Sequence, residues 1–113
     1  MKDNILEIED LEKIIENRKA EMPEGSYVAS LFRKGTERIA QKVGEEGVEV
    51  AIAATKLGIT GQGEQELIGE VADLWFHSLV LLRQLDIPFL KIKEELTKRH
   101  AEKTVGSLKE TRR

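Results

Sequence analysis

Residues 42–54 read KVGEEGVEVAIAA, a stretch that sets carboxylates among small apolar side chains. At about 100° per residue, Glu45, Glu46 and Glu49 fall on one sector of a helix, and Val43 and Val50 fall on another. An acidic face beside an apolar face predicts a helix that packs along one side. Carboxylates at the edge of such a face cost free energy to bury unless a partner compensates their charge. The rest of the sequence therefore has to supply that partner.

The composition favours an all-α domain. The chain has 113 residues, and we expect a single domain over residues 1–113. Its 35% charged and 4% aromatic residues favour helices with solvated outer faces, and the absence of cysteine excludes thiolate metal sites. The net charge of −3 gives no electrostatic case for nucleic acid. Because no apolar run resembles a membrane span or a secretory signal, we expect a cytoplasmic protein without a membrane partner.

The spacing of apolar residues predicts five helices and no strand. The predicted helices, followed by a polar and basic tail, span about residues 5–21, 26–35, 36–57, 64–85 and 88–103. Ser26 is the predicted cap of the second helix, and the GITGQG stretch is predicted to end the third helix near Leu57. Since only a short loop separates the two long central helices, we expect them to form an antiparallel hairpin.

The fourth helix repeats the mixture of acidic and apolar residues. Glu70, Asp73 and His77 follow i, i+3, i+7 spacing and share one face. Glu70 and Asp73 lead directly into LWFHSLVLL (residues 74–82), which is apolar almost all round apart from His77 and Ser78, and a helix of that kind is buried on most sides. A chain of this size has little mass to bury it, so we expect a homodimer that dimerises through a helix bundle.

Pairing the two helices brings four or five carboxylates together. Like charges at short range raise each other's pKa and destabilise a fold, and a hard divalent cation removes the conflict. Mg²⁺ takes oxygen ligands and commonly bridges a carboxylate to substrate phosphates. The pattern E-E-x-x-E, then twenty residues, then E-x-x-D therefore predicts an Mg²⁺ site. The competing interpretation is a solvated charged face, which is the commoner role of acidic runs but leaves the acids that precede LWFHSLVLL unexplained.

Two longer stretches carry a family resemblance. SYVASLFRKGTERIAQKVGEEGVEVAIAA (residues 26–54) and LIGEVADLWFHSLVLL (residues 67–82) closely resemble the phosphoribosyl-ATP pyrophosphatase (pyrophosphohydrolase) family of histidine biosynthesis. The acidic pattern alone resembles the wider all-α nucleotide pyrophosphohydrolase (MazG-like) superfamily. The resemblance implies Mg²⁺-dependent hydrolysis of phosphoribosyl-ATP to phosphoribosyl-AMP and pyrophosphate by a homodimer. In the fused form of the family, this domain is joined to a cyclohydrolase domain that uses cysteines. Because this chain has no cysteine, we expect the stand-alone form.

The resemblance also implies individual roles. The metal ligands that match the superfamily pattern are Glu46, Glu49, Glu70 and Asp73. We expect Glu45, Glu46 and Glu49 to be the catalytic carboxylates, with Glu45 as a further ligand, a base or an orienter of the attacking water. Phosphate contacts are expected from Lys34, Arg38 and Lys42. The alternative for Arg38 and Lys42 is an ordinary helical ion pair with a neighbouring glutamate.

Four further residues have structural interpretations. A histidine on an apolar helix is more often a satisfied core group than a catalytic one, and we read His77 in that way. We read Trp75 as a core or dimer contact, and Gly44 and Gly47 as positions of close helix–helix approach.

Two other functions stay open at this point. A house-cleaning nucleoside triphosphate pyrophosphohydrolase would share the metal chemistry but accept other nucleotides. A non-enzymatic helical assembly domain would use its acidic residues only as surface charge.

Overall fold

All regular structure in the described part of the chain is helical. A computed structural model describes residues 4–102, which form α1 (Ile8–Glu21), α2 (Tyr27–Lys34), α3 (Thr36–Thr60), α4 (Glu64–Gln84) and α5 (Phe89–Glu102). No strand occurs within these residues, which confirms the predicted all-α class. None of the helices in this span has the length and apolarity needed to cross a bilayer.

Helices α3 and α4 form the predicted antiparallel hairpin and pack together more extensively than any other pair among the described residues. Three side-chain contacts give its register: Gln84 Nε2 to Thr36 Oγ1 at 3.2 Å, His77 Nδ1 to Glu46 Oε1 at 2.5 Å, and Lys56 Nζ to Glu66 Oε1 at 3.0 Å. As the residue number rises along α3, its partner's number on α4 falls. The acidic segments of the two helices therefore meet near the middle of the hairpin.

The third helix ends three residues later than predicted, at Thr60 rather than near Leu57. Gly61, with φ 73°, is the left-handed residue that stops it, and its N–H donates to the Leu57 carbonyl at 2.8 Å. The Thr60 hydroxyl donates to the Lys56 carbonyl at 2.8 Å and accepts the Gln62 N–H at 3.0 Å. Because these bonds satisfy the last turn, Gly58 is carried inside the helix.

The first two helices are set by local caps. Helix α1 begins at Ile8 rather than at Ile5, because Glu7 and Asp10 form a reciprocal capping box at its start. Ser26 caps α2 as predicted, accepting a hydrogen bond from the Ala29 N–H at 3.1 Å.

The last connection is anchored to the first helix. Helix α4 ends at Gln84, and α5 begins at Phe89, one residue after the predicted Pro88. The Phe89 N–H donates to Glu12 Oε2 at 2.7 Å, so a side chain of α1 satisfies the start of α5. The predicted end of α5 at Lys103 and the basic tail lie outside the described residues.

The short helix α2 completes the core against the hairpin. The buried core side chains come from α1, α2, α3 and α4, and they are Ile15, Leu31, Phe32, Ile39, Leu79 and Val80. Burying an aliphatic or aromatic side chain of this size contributes roughly 1.5–3 kcal/mol. The position of α2 therefore depends on side chains that its neighbours cover, and on the single residue that joins it to α3.

That residue is Gly35, which ends α2 and begins α3. Its φ of 95° and ψ of −179° lie in a region of backbone conformation that is essentially restricted to glycine. An added Cβ meets nothing within 4 Å, so the restriction comes from the backbone and not from crowding. Gly44 and Gly47 also have open space around a built Cβ, which contradicts the prediction that they permit close helix approach within this chain.

We predict that Gly35→Ala destabilises the protein by about 1–3 kcal/mol, because alanine is strained in this conformation. Gly58→Ala is the matched control: it adds the same methyl group inside α3, has open space around it, and should stabilise the protein by up to about 1 kcal/mol. Urea unfolding of both variants measures the difference. Equal stability of the two variants would contradict the role assigned to Gly35.

Candidate active site

The predicted acidic ligands lie in the middle of the hairpin and range from the core to the surface. Glu46 and Glu49 are one turn apart on α3, and Glu70 and Asp73 are one turn apart on α4. Glu46 is buried with 6% of its surface exposed, Glu70 is half-buried, and Glu49 and Asp73 are exposed. The hairpin thus anchors one carboxylate in the interior and presents two to solvent.

Glu46 finds its compensating partners within the protein. Its Oε1 lies 2.5 Å from His77 Nδ1, and its Oε2 lies 3.9 Å from Lys42 Nζ. Removing one partner of a buried pair is costly because the other is left uncompensated. For this carboxylate the sequence predicted a cation as the partner, and the structure supplies a histidine and a lysine.

Glu70 is not compensated in the same way. Burial raises the pKa of its carboxyl above the ordinary value, and a hydrogen bond with the Glu49 carboxyl, together with that group's charge, raises the pKa further. The charges of Asp73 and Glu66 act in the same direction. Oε1 of Glu70 is buried and has no hydrogen-bond partner among the described residues. The pair therefore holds negative charge that the surrounding side chains leave unneutralised.

This donor set suits a hard cation. Mg²⁺ prefers oxygen ligands, keeps several waters and is commonly held by one or two carboxylates together with substrate phosphates. The orphaned oxygen of Glu70 beside Glu49 meets that requirement. Within residues 4–102 no three acidic or histidine side chains already converge as a metal-binding group. The residues therefore fit an open site completed by substrate rather than a closed protein cage.

The other predicted site residues lie around this cluster without joining it. Glu45 is exposed, and its Oε2 accepts a hydrogen bond from Gln41 Nε2 at 3.1 Å. Lys34 is exposed in the last turn of α2, Arg38 is half-buried, and among the described residues neither forms an ion pair. Lys42 makes the i, i+4 contact with Glu46 that was the alternative to phosphate binding.

The sequence pattern predicts His77 only as a core residue, without a role in the site. It is buried and hydrogen-bonded, as expected of a core histidine, but its partners belong to the site. Besides Glu46 it contacts the Tyr27 hydroxyl through Nε2 at 2.7 Å and the Asp73 carbonyl through Nδ1 at 3.0 Å. The signal in the sequence was the i, i+4 spacing from Asp73. Tyr27 had no such signal, because α2 reaches His77 only in the folded chain.

For Trp75 the structure contradicts one of the two predicted roles, the core contact. It is 55% exposed and is therefore not a core residue of this chain. It lines an apolar groove of about 470 Å³ between α4 and α5, together with residues such as Leu74, Ile92 and Leu96.

We predict that Glu70→Gln stabilises the metal-free protein near neutral pH. A carboxyl with a raised pKa holds its proton more tightly in the folded state than in the unfolded state. Its favourable contribution is therefore complete below the ordinary pKa of 4.5 and is lost as the pH rises through the raised folded value. Glutamine stays neutral, so its advantage should be largest above that value and narrow towards pH 4.

Thermal unfolding in chelator between about pH 4 and pH 8 measures this difference, because that range covers the titration of a carboxyl group with a raised pKa. Glu64→Gln is the control, because Glu64 is exposed in the first turn of α4 and lies away from the Glu49–Glu70 pair. A Glu70→Gln variant that is no more stable than wild type at neutral pH would contradict the charge repulsion described here.

Comparison with known proteins points to one family. The model of the phosphoribosyl-ATP pyrophosphohydrolase family matches residues 8–100, which include all four acidic positions of the hairpin. The phosphoribosyl-ATP pyrophosphatase of Hydrogenovibrio crunogenus is 49% identical over 89 residues, covering 79% of this chain and 78% of that protein. The phosphoribosyl-ATP pyrophosphatase of Methanocella arvoryzae is 47% identical over 94 residues, covering 81% of this chain and 94% of that protein.

Longer relatives match through only part of their length. The histidine biosynthesis bifunctional protein HisIE of Bacillus subtilis is 47% identical over 93 residues, covering 82% of this chain and 42% of that protein. This chain therefore spans about two fifths of the length of the bifunctional relatives that it matches.

Proposed function

The chain belongs to the phosphoribosyl-ATP pyrophosphohydrolase family, and on that premise we propose that it hydrolyses phosphoribosyl-ATP to phosphoribosyl-AMP and pyrophosphate in histidine biosynthesis. The observation that carries the proposal is the buried, unpartnered Oε1 of Glu70 beside the Glu49 carboxyl. Two carboxylates that repel each other are unfavourable for the fold alone. Their position on the hairpin is explained if they bind a cation together with a triphosphate.

We propose Mg²⁺ as the cofactor. Its ligands would be the carboxylates of Glu49, Glu70 and Asp73 together with Oε2 of Glu46, the oxygen that His77 does not occupy. When bound, Mg²⁺ supplies positive charge that offsets the charge developing on the leaving pyrophosphate. Glu49 and Asp73 are exposed, so their oxygens are accessible to a nucleotide from solvent.

The reaction cleaves the linkage between the α- and β-phosphates. A water oxygen bonds to the α-phosphorus in line with the bridging oxygen, which leaves with the pyrophosphate. The water's proton passes to a carboxylate of the cluster, for which Glu45, Glu46 and Glu49 are the candidates. Glu46 is already engaged by His77 and Lys42, whereas Glu49 and Glu45 are exposed. The protein's contribution is mostly positioning and electrostatic stabilisation.

Cationic residues beside the cluster are suited to the phosphates. Lys34 and Arg38 form no ion pair among the described residues, so their charges are available to a ligand. The Lys42 ammonium lies 3.9 Å from Glu46 and would contact both a phosphate and the carboxylate by a small movement. We propose that these three residues bind the phosphate groups of the substrate.

The test of this function is pyrophosphate release from phosphoribosyl-ATP, with Mg²⁺ and with chelator, alongside a panel of ordinary nucleoside triphosphates. We expect release from phosphoribosyl-ATP that depends on Mg²⁺ and little release from the panel. Turnover of the panel without turnover of phosphoribosyl-ATP would replace the proposed substrate by ordinary nucleotides. No turnover of any nucleotide by folded protein would favour a non-enzymatic helical domain.

The same assay tests the ligand residues. Glu49→Gln and Asp73→Asn should each lower turnover by at least about 100-fold while the helical content stays unchanged, because each removes a charge that acts on the reacting phosphates. Glu37→Gln on α3 and Glu64→Gln on α4 are matched controls at exposed positions outside the cluster. Near-normal turnover of either cluster variant would remove that residue from the site.

We propose further that the chain forms a homodimer through the groove between α4 and α5. This groove is lined almost entirely by apolar side chains, and two of them, Trp75 and Leu96, are more than half exposed in the single chain, at 55% and 52%. Exposed apolar surface of this kind marks an interaction site. A second copy carries the same surface and so offers a matching apolar face, as a two-fold interface requires.

Light scattering coupled to gel filtration tests the dimer. The wild-type chain should elute as a dimer, and Trp75→Glu should shift it to the monomer because it places a charge in the groove. Ile59→Glu is the control, since Ile59 is 78% exposed at the end of α3 and lies outside the groove. A wild-type chain that is monomeric at micromolar concentration would reject this interface.

A further inference from the structure

We infer that His77 is a positioning residue that fixes the Glu46 carboxylate for metal binding, and that Tyr27 holds the His77 ring in place; this rests on the proposed function of the acidic cluster. Neither residue belongs to the acidic pattern. Each is joined to it by the hydrogen bonds that connect α2, α3 and α4 at the centre of the fold.

The hydrogen-bond partners determine which ring nitrogen carries the proton. Nδ1 of His77 lies 2.5 Å from Glu46 Oε1 and 3.0 Å from the Asp73 carbonyl oxygen. An ionised carboxylate and a carbonyl only accept hydrogen bonds, so Nδ1 must be the donor. In the neutral ring Nε2 is then an acceptor, and the Tyr27 hydroxyl donates to it at 2.7 Å. The ring is therefore held on both of its nitrogens.

This arrangement gives the two carboxylate oxygens of Glu46 different surroundings. Oε1 is occupied by His77, and Oε2 has only the more distant Lys42 ammonium at 3.9 Å. A buried carboxylate without the histidine would be free to rotate and would present either oxygen. With His77 in place, Oε2 is the oxygen left for a cation. Groups that hydrogen-bond a ligating carboxylate fix its orientation in the same way in other metal sites.

The ring also connects the two helices that carry the acids. His77 follows Asp73 by one turn on α4 and takes that residue's carbonyl as a partner, while its other bond reaches Glu46 on α3. One side chain thus bridges the two acidic segments. Tyr27 connects α2 to the same histidine, because the Tyr27 ring packs edge-on against the His77 ring with centroids 5.7 Å apart. A displaced α2 would loosen the ring and, through it, Glu46.

A merely structural role for His77 would predict a different outcome from a positioning role. Loss of packing lowers the stability and the fraction of protein that is folded and active. It leaves unchanged the Mg²⁺ concentration at which the folded protein reaches half of its maximal rate. Loss of carboxylate orientation raises this half-saturating concentration. The test therefore measures turnover of phosphoribosyl-ATP against Mg²⁺, with unfolding curves for every variant.

We expect His77→Leu, which removes all three hydrogen bonds of the ring, to raise the half-saturating Mg²⁺ concentration by about 10–100-fold. His77→Asn retains a donor near the Nδ1 position and should recover most of this loss. Tyr27→Phe keeps the ring of residue 27 and removes only its hydroxyl; it should raise the Mg²⁺ requirement by a smaller factor with little loss of stability. His100→Asn, at the exposed histidine of α5, is the control and should match wild type.

A second readout needs no turnover. Correlation spectra of the ¹⁵N-labelled imidazoles, assigned with His100→Asn, should show the Nδ1–H form of His77, and Mg²⁺ alone should shift its signal. If wild type releases no pyrophosphate but the signal responds to Mg²⁺, the proposed reaction fails and the positioning role stands. An Nε2–H form with Nδ1 unprotonated overturns the inference. So does an unchanged Mg²⁺ requirement in both Tyr27→Phe and a folded His77→Leu.

Discussion

The bond between Glu46 on α3 and His77 on α4 joins the two long helices at the centre of the hairpin. A carboxylate with 6% of its surface exposed needs a hydrogen-bonded partner, and His77 Nδ1 supplies it at 2.5 Å. This bond fixes the register of the hairpin at its centre. It also draws in Tyr27 and the Asp73 carbonyl, so that three helices meet at one imidazole.

From that fixed point the site opens towards solvent. One turn further along α3, Glu49 lies beside Glu70, and this second pair is held by the fold without a neutralising partner. The interior pair provides rigidity, and the outer pair provides unneutralised charge. Mg²⁺ commonly shares its coordination between carboxylates and phosphates, so an open acidic site of this kind suits the proposed combination of a cation with a triphosphate.

The sequence predicted the elements whose signals are local. The hairpin follows from apolar spacing within α3 and α4, and the Ser26 cap follows from one side chain and the backbone three residues on. The predicted end of α3 was wrong because GITGQG contains several glycines, each of which could end a helix. Which of them does so depends on the hydrogen bonds of the last turn, and these place the end at Gly61. The contact of Tyr27 with His77 spans 50 residues and depends on where Gly35 directs α2, so no local pattern contains it.

The proposed function requires the acidic hairpin to bind Mg²⁺ together with a triphosphate. The most direct measurement is a crystal structure with Mn²⁺ and the analogue of phosphoribosyl-ATP whose α,β-bridging oxygen is a methylene group. We expect an anomalous peak that contacts Glu49, Glu70 and the analogue's phosphates, with Glu46 Oε1 still bonded to His77. A bound analogue whose metal and phosphates lie away from Glu49 and Glu70 would contradict it.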